Sequence, residues 1–289
     1  MFIATLIAEG IGEGQVAAAQ DALAAAGCLP DAPAWLDRGA AADLSFACCP
    51  ESAKAALADG PFDWVVQPAA GREKRLLVAD MDSTMITVEC IDELADYAGI
   101  KSQVAAVTEA AMRGELDFAG ALAARVKLLA GLDQAVIALC LAERVRLTPG
   151  ARTLVRTMRA RGAEAVLVSG GFTAFAEPVG AEIGFSRIVA NRLDVADGRL
   201  TGRVMPPIVD AAAKENELRA AAAALGLPLV ATLAVGDGAN DLPMLRAAGL
   251  GVAYRAKPKV AAEADMRVER GDLTALLYAQ GIVRRDWAD

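Results

Sequence analysis

No histidine occurs anywhere in the chain. This removes every mechanism with a histidine base, nucleophile or metal ligand, including the Ser-His-Asp triad and the usual zinc sites. Cysteine is sparse and unpatterned. Cys28, Cys48, Cys49, Cys90 and Cys140 are odd in number and show no CxxC spacing. A disulfide framework or thiolate cluster is therefore not expected, and a reducing cytoplasm is the simplest location. Basic residues are the minority, 29 Lys and Arg against 37 Asp and Glu, for a net charge of −8. That balance argues against a nucleic-acid partner. No stretch reads as a membrane span. The longest uncharged run, Ala220–Gly236, is slightly short and is broken by Gly226 and Pro228. It reads as a helix, a turn and a buried strand. The N-terminus lacks a basic segment and Glu9 interrupts its apolar run, so it is not read as a signal peptide. What remains is 55% apolar and 23% charged over 289 residues, a globular composition with enough chain for one large core or two modest ones.

Residues 1–72 read as a separate small unit. Strand-like Phe2–Ala8 precedes an Ala-rich helix at Gln15–Ala26, then strands near Ala34–Asp37 and Leu44–Cys48. A helix at Ser52–Ala58 and a strand at Phe62–Gln67 complete a β-α-β-β-α-β order, the ferredoxin-like split βαβ arrangement. EGIGEG at Glu9–Gly14 lacks the third glycine of a dinucleotide fingerprint and reads as a strand-to-helix turn. Gly71–Arg75 is a polar, charged linker.

The chemistry begins at Leu76–Ile86, LLVADMDSTMI. A short apolar run reads as a strand buried on both faces, ending where Asp80 and Asp82 begin. Parallel sheets bind ligands beyond the carboxyl ends of their strands, so both acids would enter one crevice. Two carboxylates this close repel unless a cation or shared proton holds them. With a divalent cation present, one acid can be a nucleophile while the other handles protons. An ordinary strand-end turn is the competing reading. Four helical segments then follow, Glu89–Ala98, Lys101–Arg113, Asp117–Ala130 and Asp133–Glu143, as expected of a lid over the crevice. From Pro149 onward strands and helices alternate as in a doubly wound α/β sheet.

Two more strand tips carry polar residues. AVLVSGGF at Ala165–Phe172 ends a buried strand in Ser169, Gly170 and Gly171, where backbone N–H groups and a helix N-terminus favour an anion. LAVGDGANDLPML at Leu233–Leu245 brings Asp237, Asn240 and Asp241 to a third tip, a hard-oxygen set suited to Mg²⁺. Between them lies a hairpin across Asn191–Met205. A helix follows with Asp210 as N-cap and Lys214 one turn in, near enough to its start to reach a phosphate. Gly251–Asp289 offers a short strand, a helix and a closing helical turn without further chemistry.

Together Asp80-Met81-Asp82-Ser83-Thr84, Ser169-Gly170, Lys214 and Gly236-Asp237-Gly238-Ala239-Asn240-Asp241 resemble, in order, the four motifs of the haloacid dehalogenase superfamily of phosphotransferases. The resemblance covers about residues 75–270. VECIDELADYAG at Val88–Gly99 and LDFAGALAARVKLL at Leu116–Leu129 look like the helical cap of phosphoserine phosphatases. Residues 1–72 resemble, by pattern only, the shortened ACT-like domain of some bacterial members. The resemblance implies a Rossmann-like α/β core over residues 73–289 with a cap inserted at about 88–147. It implies Asp80 as nucleophile, Asp82 as acid–base, and Mg²⁺ on Asp80, Asp237 and the Asp82 carbonyl. Ser169, Gly170 and Lys214 would bind the phosphoryl group, Asn240 and Asp241 would support phosphate and metal, and Thr84 would support the motif. Glu89 and Arg125 would take the ammonium and carboxylate of O-phosphoserine, in the last step of serine synthesis. The sequence is compatible with a homodimer. Two alternatives stay open: a relative acting on another small phosphomonoester or passing phosphate to homoserine, and an amino-acid-sensing regulator with a vestigial phosphatase domain. The intact acids at Asp80, Asp82, Asp237 and Asp241 speak against the latter.

Overall fold

A computed structural model describes residues 1–113 and 115–288. The N-terminal unit has the expected β-α-β-β-α-β order: β1 (Phe2–Ile11), α1 (Glu13–Ala25), β2 (Ala34–Asp37), β3 (Gly39–Phe46), α2 (Pro50–Leu57) and β4 (Asp63–Pro68). The strand β1 runs on through Glu9-Gly10-Ile11 and α1 starts at Glu13, so EGIGEG passes from strand to helix with only Gly12 between them. Likewise β3 starts earlier than its apolar residues indicate, because Ala41–Phe46 pair in unbroken register with Phe2–Ile7.

Next come β5 (Leu76–Ala79) and four cap helices, α3 (Cys90–Tyr97), α4 (Lys101–Met112), α5 (Phe118–Leu128) and α6 (Ala135–Arg144). The chain then alternates: α7 (Ala151–Ala160), β6 (Glu164–Phe172), α8 (Thr173–Ile183), β7 (Arg187–Ala196), β8 (Arg199–Met205), α9 (Ala211–Ala224), β9 (Thr232–Gly236), α10 (Leu242–Ala247), β10 (Leu250–Tyr254), α11 (Pro258–Ala261), β11 (Met266–Val268) and α12 (Ala275–Ala279). The strand β11 is absent from the sequence reading, since three residues carry too little pattern to show.

The sheet order is β2-β3-β1-β4-β11-β10-β9-β5-β6-β7-β8. Strands β11 through β7 pair in parallel, with β5 between β9 and β6. All four residues of β5 are fully buried, which its unbroken apolar sequence requires. Burying each such Leu or Val contributes roughly 1.5–3 kcal/mol. Helix α7 shows the complementary logic: Ala151, Leu154, Val155 and Met158 recur at helical spacing on its buried face.

The N-terminal unit keeps its own core of Leu6, Val16, Leu23, Leu44, Phe46 and Leu57. It is nonetheless not joined by a free linker. Strand β4 pairs antiparallel with β11, and the Asp63 carboxylate accepts the N–H groups of Glu269, Arg270 and Gly271. Gln67 donates to the Ala279 carbonyl, and Tyr278 donates to Asp37. Lys74, expected in the polar linker, is buried, donating its ammonium to the Gly71 and Val230 carbonyls. The charged run is therefore a docked seam between the units: the Arg72 guanidinium pairs with Asp43 and the Tyr278 carbonyl, as Lys74 does with its two carbonyls.

The cap is held at two places. Its stems cross at an antiparallel bridge between Ile86 and Leu147, reinforced by Thr87 N–H to the Arg146 carbonyl and Thr148 N–H to the Met85 carbonyl. At its far side the α5–α6 turn is bonded to the β7–β8 hairpin. Gly131 N–H reaches the Leu200 carbonyl, Leu200 N–H the Leu132 carbonyl and Gln134 N–H the Gly198 carbonyl. Among the described residues, no helix is long and apolar enough to cross a membrane.

Candidate active site

The tips of β5, β6 and β9 and the inner face of the cap enclose a cleft of about 700 Å³. Asp80, Asp82, Gly170, Gly171, Asp237 and Asn240 line its floor, while Glu89, Arg125 and Phe118 line its roof. Three sequence motifs, spread from Asp80 to Asp241 along the chain, thus meet in one space.

Asp80 leaves the end of β5 and is buried. Its Oδ1 accepts the Met81 N–H at 2.8 Å and the Lys214 ammonium at 2.7 Å. Its Oδ2 has no protein donor among the described residues. Lys214, fully buried on α9, also donates to Asp241 Oδ1 at 2.7 Å. The lysine thus spans two carboxylates and lies behind the cleft wall instead of standing free within it. Burial works against its charge, but Asp241 and Asp80 together hold its pKa above the ordinary lysine value. For Asp80 burial wins: desolvation and the Asp241 charge raise its pKa despite Lys214.

One oxygen each from Asp80, Asp237 and Asp241 lie within 4.8 Å of one another. Asp237 accepts from Thr84 Oγ1 at 3.3 Å through Oδ1, and its pKa is pushed up to about 7 by burial first and by Asp241 next. Both oxygens of Asp241 are already committed, Oδ1 to Lys214 and Oδ2 to the Asp237 and Gly238 N–H groups. Asp241 therefore supports the cluster, and the uncommitted oxygens belong to Asp80 and Asp237. Crowded, partly desolvated carboxylates with free oxygens fit a hard divalent cation. Glycine is needed here, since a Cβ on Gly236 would stand 2.4 Å from Asp241 Cγ.

Asp82 is half-buried, with Oδ1 accepting the Cys90 N–H at 3.0 Å. Its side chain stands apart from the acid trio. Burial, and secondarily the Glu89 charge, raise its pKa to about 6. Ser169 is fully buried and its Oγ accepts the Gly171 N–H at 2.8 Å. Gly170 faces the cleft, and Asn240 lines it at the start of the turn into α10. On the cap, Glu89 precedes α3 and accepts from Ser83 Oγ at 2.7 Å. Arg125, on α5, binds the Ala121 carbonyl through Nε.

Several lining residues were absent from the sequence reading. Phe118 sits seven positions before Arg125 on the same face of α5, a spacing that could have identified it. A Cβ on Gly170 would lie 3.2 Å from Phe118 Cζ, so the cap touches the glycine loop directly. Asp92 and Lys257 also line the cleft. Lys257 lies in the C-terminal segment expected to carry no chemistry. It escapes notice because only the fold brings the end of β10 beside β9.

Residues 77–246 match the model of the haloacid dehalogenase-like hydrolase family. A curated phosphoserine phosphatase from Streptomyces coelicolor is 53% identical over 215 residues, covering 74% of this chain and 52% of that protein. The chain thus spans about half the length of that relative. A phosphoserine phosphatase from Idiomarina loihiensis is 46% identical over 202 residues, covering 70% of this chain and 91% of that one. The solved unliganded form of a probable phosphoserine phosphatase from Vibrio cholerae has a TM-score of 0.80 at 32% identity, covering 99% of this chain and 87% of that one. With the acids, glycine loop and buried lysine gathered at adjacent strand tips, the chain belongs to the haloacid dehalogenase-like hydrolase family.

Proposed function

We propose that this chain is a Mg²⁺-dependent phosphoserine phosphatase, cleaving O-phospho-L-serine to L-serine and phosphate through an aspartyl-phosphate. The observation that carries this reading is the pinned nucleophile. Asp80 is fixed through Oδ1 by Lys214 and the Met81 N–H, which leaves Oδ2 as the reactive oxygen. That oxygen would attack phosphorus in line as the bond to the serine oxygen breaks. Asp82, with its pKa near 6, would protonate the departing alkoxide. It would then take a proton from the water that attacks the aspartyl-phosphate, which frees phosphate and restores Asp80.

Charge on the phosphoryl oxygens would meet the Gly170 N–H, Ser169, Lys214 and Asn240. Asp80 and Asp237, with the Asp82 main-chain carbonyl, would hold Mg²⁺. The cation would supply neutralisation of the crowded carboxylates and of the substrate's phosphate. Glu89 and Arg125 would bind the ammonium and carboxylate, the latter by a bidentate pair that lysine cannot copy. Their place on the cap supports a small amino-acid phosphate as substrate, and so do the printed names of the relatives above.

The same reading takes residues 73–289 as the phosphatase domain, with the cap at about 88–147, and residues 1–72 as an ACT-like domain. It assigns a cytoplasmic location in keeping with five free cysteines. The test is phosphate release from a panel of small phosphomonoesters. O-phosphoserine should give the highest kcat/KM, and a clear preference for an ester lacking the amino-acid head would reject this substrate.

A further inference from the structure

Asn191 is fully buried on β7, yet its side chain reaches the phosphate-binding machinery from behind. Where β6 pairs with β7, Ser169 faces Ala190 but Phe172 faces Asn191. Gly170 and Gly171 are therefore extra residues, a bulge in the pairing that lifts their peptides out of the ladder. A bulged peptide loses its ladder partners, and both lost bonds are replaced here by side chains. Asn191 Nδ2 donates to the Gly170 carbonyl at 2.8 Å, and the Gly171 N–H of that same peptide goes to Ser169 Oγ. With the Gly170–Gly171 peptide held at both ends, the preceding N–H, that of Gly170, is left for an anion.

The other half of Asn191 holds a different element. Its Oδ1 accepts the Val209 N–H at 2.8 Å, and Nδ2 lies 3.4 Å from the Val209 carbonyl. Val209 immediately precedes Asp210, whose carboxylate caps α9 by accepting the Ala213 N–H. One turn further along α9 is Lys214, bonded to Asp80 and Asp241. A single buried amide thus joins the glycine loop to the start of the helix that carries the lysine.

We infer that Asn191 is a positioning residue that sets the separation between the Gly170 N–H and the Lys214 ammonium, and thereby the affinity of the site for a phosphoryl group. It touches neither substrate nor metal. Its effect is transmitted through Gly170 on one side and Val209 on the other. This rests on the reading of the cleft as a phosphomonoester site, but not on serine as the leaving group.

The test uses inorganic phosphate as the probe, measured as a competitive inhibitor of the full chain. Asn191→Asp keeps an acceptor for the Val209 N–H but turns the donor into an oxygen facing two carbonyls. The phosphate inhibition constant should rise about tenfold or more, with kcat falling, while inhibition by L-serine stays within twofold. Asn191→Ser, which is too short to bridge both elements, provides the same reading should the aspartate variant fold poorly. Thr232→Val is the control for stability alone. Thr232 is equally buried, donates to the Leu229 carbonyl and accepts the Gly249 N–H at the opposite end of the sheet. It should lower Tm and leave phosphate inhibition unchanged. A phosphate constant within twofold of wild type in both Asn191 variants would overturn the inference, and so would a matching change in Thr232→Val. If wild type hydrolyses aryl phosphates but not O-phosphoserine, the proposed substrate fails while the phosphate constants still decide the role of Asn191.

Discussion

Replacing Gly171 with alanine is expected to slow O-phosphoserine turnover about a hundredfold without unfolding the chain. The Gly171 backbone is not in a left-handed conformation, so the added methyl carries no backbone penalty of its own. Its cost is steric. A Cβ there would stand 2.6 Å from Asp82 Oδ2, 3.0 Å from Ser169 Oγ and 3.2 Å from Met81 Cε. Ordinary contact requires the carboxylate to retreat by about 0.8 Å. It cannot slide freely, because its other oxygen is tied to the Cys90 N–H. Misplacing a reacting group by about 1 Å can cost about a hundredfold in rate. Crowding of this kind typically costs about 1–3 kcal/mol in stability, a Tm change of several degrees for a chain of this size. The assay compares kcat for O-phosphoserine with the pre-steady-state burst from p-nitrophenyl phosphate. A nitrophenolate leaves without needing a proton, so its burst should remain fast while the serine ester slows. Turnover of O-phosphoserine within threefold of wild type would refute the reasoning, as would an equal loss in the burst.

Asp80→Asn should abolish turnover and the trapped phosphoenzyme while leaving the thermal transition in place; near-normal activity would remove covalent catalysis. Arg125→Ala should lower kcat/KM for O-phosphoserine by about 30-fold to several thousandfold, the usual range for truncating one partner of an enclosed charge pair. A plain aryl phosphate should be hydrolysed nearly as before, and equal losses on both would reassign Arg125 to cap folding. Exhaustive chelation should remove activity and Mg²⁺ should restore it, whereas Ca²⁺, which prefers more ligands and looser geometry, should not. Asp63→Ala strands the N–H groups of Glu269, Arg270 and Gly271, and should cost on the order of 1–3 kcal/mol. Calorimetry should show one transition shifted down, and two separated transitions would mean the units unfold independently.

The acids at the strand tips were legible because each follows an apolar run that reads as a buried strand. The cap at Asp210 was legible because capping is local. What could not be read are contacts between residues distant in sequence. Lys214 gave away its position near a helix start, but not that Asp80 and Asp241 would claim it. Asn191 sits in a strand pattern with no periodicity to mark it, and its role exists only because β6 bulges opposite it. Gly171 was visible as part of SGGF, while its real constraint, the closeness of Asp82, depends on how β5 and β6 are aligned. The polar run Gly71–Arg75 misled for the opposite reason. Charge suggests solvent, but α12 and the residues after α9 supply partners for those very groups.

The bonding of the cap decides which way it can yield. Its two stems are bonded to each other and the α5–α6 turn is bonded to the β7–β8 hairpin, all by main-chain hydrogen bonds, so neither end is free to swing. Helix α4 has no such restraint: of its described side chains only Val104 is buried. Loosening should therefore begin at α4, on the side of the cleft that Leu116, Asp117 and Phe118 border. Substrate and serine would pass there, beneath a flap that lifts along one margin while the other stays stitched down. Hydrogen exchange would register this as early loss of α4 amides, with Gly131, Gln134 and Leu200 protected long after.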